Sequence, residues 1–193
     1  MQNKFLMKDF IIEFLDQNLP ETYYYHNHFH TIYVAEIAAE IGKHEKCSAY
    51  ELDLLNVAAL WHDTGYIKTY KNHEEESCKF TRQCLPEYGY SIAEIDQICG
   101  MIMATKIPQS PNNKLEKILA DADLEYLGTE SAQTKSASLM LEIQSINPSL
   151  TEEKWNQMQI SFIQNHQYFT RFCKENRESV KQNYLNKLIQ STL

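Results

Sequence analysis

The feature that most constrains the fold is a helical spacing of apolar residues that recurs along the chain. Residues 48–65 are the clearest example. Ser48 and Glu51 have the spacing of a capping box at a helix start, and Gly65 is predicted to stop the helix. Between them, one row at helical spacing is expected to face the core: Leu52, Leu55, Ala59 and His62. An imidazole therefore prolongs the apolar row, and Asp63 follows it into the turn.

Residue usage favours helices over strands. Only five glycines and five prolines interrupt the 193 residues, and Leu, Ile, Glu, Lys and Gln are abundant whereas Val is scarce. Further capping boxes are predicted at Asn72 with Glu75 and at Ser91 with Glu94. We therefore predict an all-α fold, with a single domain over residues 1–193 and about eight helices. These cover approximately residues 4–19, 30–43, 48–62, 73–85, 91–105, 114–127, 131–145 and 151–188, the last interrupted at most by a kink.

Charge and cysteine content exclude several classes of protein. The net charge of −8 argues against wrapping of nucleic acid, which needs a basic surface. It leaves room for a small anion held by a metal ion and a few local cations. The five cysteines form no C-x-x-C pair, so reduced thiols are expected. Because no apolar run has membrane-spanning length, we expect a cytoplasmic protein without a membrane partner.

Side chains that can ligate a metal ion occur where predicted helices begin or end. His30 lies at a helix entry, and His62 and Asp63 lie at the end of the apolar row described above. Neutral imidazole and carboxylate are both ligands for divalent metals. A single His-Asp dipeptide is weak evidence, because adjacent His and Asp arise by chance in many chains.

An Asp-Ala-Asp segment lies inside the otherwise apolar stretch 118–127. A carboxylate there costs free energy unless a partner compensates it. Residues two apart project about 200° apart on a helix, so only one of Asp121 and Asp123 can face a common metal ion. Asp123 shares the side of Leu115 and Leu119 and is the predicted ligand. Asp121 is expected to support that site or to anchor a neighbouring helix.

The order His…His-Asp…Asp resembles the signature of the HD-domain metal-dependent phosphohydrolases. Three segments carry the resemblance: Tyr25-His-Asn-x-x-His30-Thr, Trp61-His62-Asp63 and Ala122-Asp123-Leu124. The chain looks most like small bacterial predicted phosphohydrolases with Ala-Thr-Lys and Asp-Ala-Asp-Leu segments, here ending at Lys106 and Leu124. The resemblance implies a helical HD domain with a motif-bearing core at about residues 23–128 and C-terminal helices at 131–190 packed on it.

The resemblance also implies a ligand set. His30, His62, Asp63 and Asp123 would hold a divalent ion, with open positions for water and a phosphate oxygen. Two imidazoles and two carboxylates suit Mn²⁺, Fe²⁺, Co²⁺, Ni²⁺, Zn²⁺ or Mg²⁺ with little discrimination.

Two further histidines are candidate catalytic residues. His26 aligns with the histidine that protonates the leaving group in the cyclic-nucleotide phosphodiesterase branch of the superfamily; alternatively it only orients the motif. His73, at a predicted helix start, corresponds to a position where some members have a second-metal ligand or a phosphate contact. The glutamates after it equally suit an ordinary solvated first turn.

Substrate contacts are predicted at Lys106, Tyr66 and Tyr126. Lys106 ends a predicted helix beside a loop and is a candidate to bind phosphate, although pairing with the helix dipole explains it equally well. Tyr66 and Tyr126 are predicted to line the substrate pocket, while aromatic packing is the alternative.

The combined hypothesis is a metal-dependent phosphohydrolase that cleaves a small phosphate ester, perhaps a nucleotide, by metal-activated water. The alternatives are a diiron oxygenase of the same fold, which needs more than four ligands, and a non-catalytic nucleotide-binding HD module. The expected partner is a small phosphorylated substrate, and the chain is expected to be a monomer or a homodimer.

Overall fold

The computed structural model describes the chain from Gln2 to Ser191, so the predicted domain limits at residues 1 and 193 lie outside the described residues. The all-α prediction is confirmed, since the described part contains helices and no strand. No helix in this part combines the length and apolarity needed to span a membrane. The helices are α1 (Gln2–Asn18), α2 (His28–His44), α3 (Ala49–Trp61), α4 (His73–Cys84), α5 (Ile92–Ala104), α6 (Lys114–Leu124), α7 (Ala132–Ile146), α8 (Glu152–Asn165), α9 (Arg171–Asn176) and α10 (Glu178–Ser191).

The predicted count of about eight helices is too low, because the C-terminal segment is broken. The single helix expected over 151–188 is three helices, α8, α9 and α10. Between α8 and α9, the backbone N–H groups of Phe169 and Thr170 donate to the carboxylate of Asp121, at 2.9 and 2.8 Å. Because these donors bind a buried carboxylate rather than a carbonyl one turn earlier, the helix cannot continue.

Helix α3 forms the centre of the larger core, with α2, α5 and α6 packed around it. Its buried side chains surround the helix on nearly all sides: Leu54, Leu55, Val57, Ala58, Ala59, Leu60 and Trp61. Burying a Leu or Val side chain stabilises the fold by about 1.5–3 kcal/mol. This packing fixes the C-terminal end of α3, where His62 and Asp63 lie. A second core joins the end of α6 to α7, α8 and α10.

Two of the three predicted capping boxes are present. Ser48 with Glu51 and Ser91 with Glu94 each show both reciprocal hydrogen bonds. The prediction at Asn72 is wrong: its backbone is left-handed, with φ +59°, and its side chain makes no capping bond. Its Oδ1 instead accepts a hydrogen bond from Lys106 Nζ at 3.2 Å.

Gly65 does not stop α3 as predicted. The helix ends at Trp61, and the chain continues into a 3-10 turn at Thr64–Ile67 without a left-handed residue. Glycine is required there because a Cβ atom would lie 1.9 Å from the carbonyl oxygen of His73. The Gly65 N–H donates to Ser77 Oγ at 2.8 Å, so α4 packs directly against the turn that follows Asp63.

Candidate metal centre and active site

Three helix ends meet at one place and bring the predicted ligands together. His30 lies in the first turn of α2, where the Asn27 side chain accepts the backbone N–H groups of Phe29 and His30. His62 and Asp63 follow α3 directly, and Asp123 lies in the last turn of α6. The hydrogen bond that caps α2 and the packing of α3 therefore set the positions of side chains that are far apart in the chain.

The ligand atoms lie close together. Nε2 of His30 is 3.0 Å from Asp123 Oδ1 and 3.5 Å from Asp63 Oδ2. Nε2 of His62 is 3.1 Å from Asp63 Oδ2 and 3.6 Å from Asp123 Oδ1. Ligand atoms of His30, His62 and Asp123 all lie within 4.8 Å of one another, and Asp63 adjoins this set. Asp121 points elsewhere, towards α9, which is the arrangement that helix phase predicts.

Hydrogen bonding leaves ligand atoms free for a metal ion. His62 Nδ1 donates to the carbonyl of Ala59 at 2.7 Å, which leaves Nε2 to face the site. His62 Nε2 and Asp63 Oδ2 are buried and lack hydrogen-bond partners among the described residues, although they lie 3.1 Å apart. Unpaired buried polar atoms are costly, so the donor set fits a divalent cation.

The electrostatics of the site also favour a cation. Burial raises the pKa of a carboxyl group, yet His62 holds the pKa of Asp63 well below its usual range, and His30 and His62 do the same for Asp123. Burial lowers the pKa of His30. At His62, burial acts in the same direction but the two carboxylates outweigh it and raise the pKa. A field that favours a proton on His62 also favours a metal ion, which would compete with that proton.

A buried carboxylate that the sequence analysis missed, Glu142 of α7, organises the entry to α2. It accepts the backbone N–H groups of Tyr25 and His26, both at 2.9 Å, and a hydrogen bond from His26 Nδ1. Tyr70 also donates to it, at 3.1 Å. With Nδ1 bound, His26 presents Nε2 to the Tyr66 hydroxyl at 3.1 Å. Glu142 lies in an amphipathic helix without a motif, so the only signal was a carboxylate among apolar residues.

His73, the first residue of α4, lies on the other side of Asp63. Its Nε2 is 3.4 Å from Asp63 Oδ1 and 3.6 Å from the buried Glu74 carboxylate. Burial acts to lower its pKa, but Asp63 and Glu74 raise it above the ordinary value. The ring stacks on Tyr66 with centroids 3.8 Å apart. Asp63 therefore has one oxygen towards His62 and the other towards His73.

A cavity of about 330 Å³ opens beside the ligand cluster. His26, His73, Asp63 and Asp123 line it, together with both predicted pocket tyrosines, Tyr66 and Tyr126. The opposite wall comes from α7 and α8.

Lys106 is not among the residues that line this cavity. Its ammonium group pairs with Glu75 and with Asn72, at the exposed start of α4. The structure thus places Lys106 against Asn72 and Glu75, which flank His73, but not in the pocket.

Comparison with known proteins agrees with this architecture. The family model described as "HD domain" matches residues 28–125, just over half of the chain. A crystal structure of a predicted HD superfamily hydrolase from an uncultured Thermotogales bacterium has a similar fold, with a TM-score of 0.60. The two chains are 22% identical, and the match covers 94% of this chain and 90% of the other. No curated protein matches the chain.

Proposed function

The chain belongs to the HD-domain family, and from this premise we propose that it is a metal-dependent phosphohydrolase that cleaves a small phosphate ester. The supporting observation is the convergence of His30, His62, Asp63 and Asp123, with a free and buried Nε2 on His62. These four side chains would hold the ion, which we expect to be Mn²⁺, Fe²⁺, Co²⁺, Ni²⁺, Zn²⁺ or Mg²⁺. When bound, such an ion supplies Lewis acidity that makes water a stronger nucleophile and phosphorus a better electrophile.

The residues of the chain supply positioning and proton transfer. Glu142 holds His26 by Nδ1, so that Nε2 faces the cavity and can give a proton to the departing oxygen. In the structure, the Tyr66 hydroxyl is hydrogen-bonded to His26 Nε2. The substrate would displace this hydroxyl, or the hydroxyl would relay the proton. His73, held beside Asp63, is a candidate contact for a phosphate oxygen.

Replacement of Asp63 tests this proposal. Asp63→Ala removes a carboxylate that faces both His62 and His73, so we expect loss of bound metal and at least about a 10²-fold loss of phosphatase activity. Metal content is measured by elemental analysis, and activity on a panel of phosphoesters.

The matched control is Asp96→Ala, which removes an exposed carboxylate that pairs with Arg82 away from the site. It should keep both metal and activity. If Asp63→Ala retained both, the proposed chemistry would have no basis.

The geometry of Asp63 also favours a second candidate, a diiron oxygenase. Its two oxygens face different histidines, and Glu74 adjoins His73, so a second set of ligands is available. Metal counting separates the candidates: two irons per chain support the oxygenase, and one ion supports hydrolysis. A protein that binds nucleotides tightly without turnover would instead support the non-catalytic module.

A further inference from the structure

The geometry points to an apolar, ring-sized group as the occupant of the cavity beside the metal centre. Together with the proposed function, on which this step rests, it assigns the substrate class as a monophosphate of an apolar alcohol rather than a nucleotide.

The cavity has almost no positive charge of its own. None of the described residues that line it is a lysine or an arginine, whereas three are acidic: Asp63, Glu74 and Asp123. Among these lining residues, only His26 and His73 can add positive charge beside a metal ion. One divalent ion suits a single phosphate group, but a diphosphate or triphosphate would leave anionic oxygens near these carboxylates.

The wall formed by α7 and α8 is apolar. It consists of Leu139, Ile143, Trp155, Met158, Phe162 and Ile163, with Gln159 as the polar exception. A sugar with several hydroxyl groups would leave most of them unpaired against this wall, which disfavours binding. A hydrocarbon or aromatic ring loses no hydrogen bonds there.

The side-chain oxygen of Gln159 is already hydrogen-bonded within the protein. Its Oε1 accepts hydrogen bonds from Ser136 and from Tyr184, the latter at 3.0 Å. The Ser136 hydroxyl is in turn fixed by Trp155 Nε1 at 3.2 Å. Within residues 7–191, no hydrogen bond engages the amide NH₂ of Gln159, so this group can donate to a single acceptor such as an ether or ring nitrogen.

Binding of an alcohol without phosphate tests the cavity independently of catalysis. We use 1-naphthol as the probe and follow tryptophan fluorescence, because Trp155 lines the cavity. Saturable quenching is expected in the wild type, and it should be lost in Trp155→Phe. Ile143→Lys, which places a cation in the wall, should weaken naphthol binding at least tenfold. Leu141→Lys, on an exposed position of the same helix, is the matched control and should bind like the wild type.

Turnover then tests the substrate class. With metal-loaded protein, kcat/KM for 1-naphthyl phosphate should exceed that for adenosine 5′-monophosphate at least tenfold, and Ile143→Lys should reduce this ratio. Absence of naphthol binding, equal behaviour of the two lysine variants, or preference for the nucleotide would each overturn the inference. Naphthol binding without hydrolysis of any ester would instead overturn the proposed function and leave the assignment of the cavity supported.

Discussion

Glu142 is a buried carboxylate whose partners at the entry to α2, Tyr25 and His26, lie more than a hundred residues away in the chain. Burial acts to raise its pKa, but His26 and the two backbone N–H groups outweigh burial and lower it. Glu142 is thus held ionised and fixes the ring of His26. We regard it as a positioning residue that acts through His26.

Glu142→Gln tests this role. The amide cannot hold the imidazole as an ionised carboxylate does, so kcat should fall about 10²-fold while metal content stays unchanged. The pH dependence of kcat should also shift, because the partner of His26 Nδ1 has changed. Glu130→Gln, on the exposed residue just before α7, is the control and should leave kcat unchanged. Loss of metal in Glu142→Gln would show that the residue only maintains the fold.

The same substitution has a consequence for stability against acid. Because the folded-state pKa of Glu142 is lowered from 4.5, its contribution is present above that value and is lost as the pH falls through the lowered pKa. Thermal unfolding between neutral and acid pH should therefore show a shallower loss of stability in Glu142→Gln than in the wild type.

At the scale of elements, the site depends on how α4 docks against the turn after α3. Ser77 Oγ links the two, since it accepts from the Gly65 N–H and donates to the carbonyl of His62 at 2.6 Å. His73 can contact Asp63 because Gly65 has no side chain, which lets the first turn of α4 pack directly against this turn.

Gly65→Ala should disturb this docking. Its Cβ would meet the backbone oxygen of His73, which cannot move as a flexible side chain can, so we expect a loss of about 1–3 kcal/mol in the free energy of unfolding. Metal affinity should fall as well. Gly100→Ala in α5 meets only a flexible glutamate oxygen at 3.2 Å and should be neutral or stabilising by about 0.5–1 kcal/mol. Denaturant titrations compare the two; equal stability would contradict the close-approach argument.

At the scale of the whole molecule, one helix serves both cores. The two aspartates of α6 face opposite ways: Asp123 towards the ligand cluster, and Asp121 towards the start of α9. Asp121 accepts from Phe169 and from both the N–H and the hydroxyl of Thr170. The carboxylate therefore ties the C-terminal helices, and with them the apolar wall of the cavity, to the metal-site half.

Alanine substitutions of the two aspartates should separate these roles. Asp121→Ala leaves buried donors unpaired, so we expect a loss of about 1–3 kcal/mol in the free energy of unfolding, with metal binding retained in the folded protein. Asp123→Ala should instead abolish metal binding, because it removes one of the four predicted ligands. If both variants folded and lost the same amount of bound metal, the assignment of metal binding to Asp123 and of a structural role to Asp121 would be wrong.

Helical spacing and residue usage were enough to predict the helical class, whereas the ligand set was predicted from the resemblance of three motifs to a known family. Helical spacing and capping identified the end of α3, helix phase chose between Asp121 and Asp123, and motif order joined residues about ninety positions apart. The long-range contacts that hold the site together could be identified only from the tertiary structure. Glu142 beneath His26 and the carboxylate of Asp121 that breaks the last helix act across long chain separations. Periodicity and propensity depend on neighbours within a few turns, whereas these partners are chosen only when helices pack against one another.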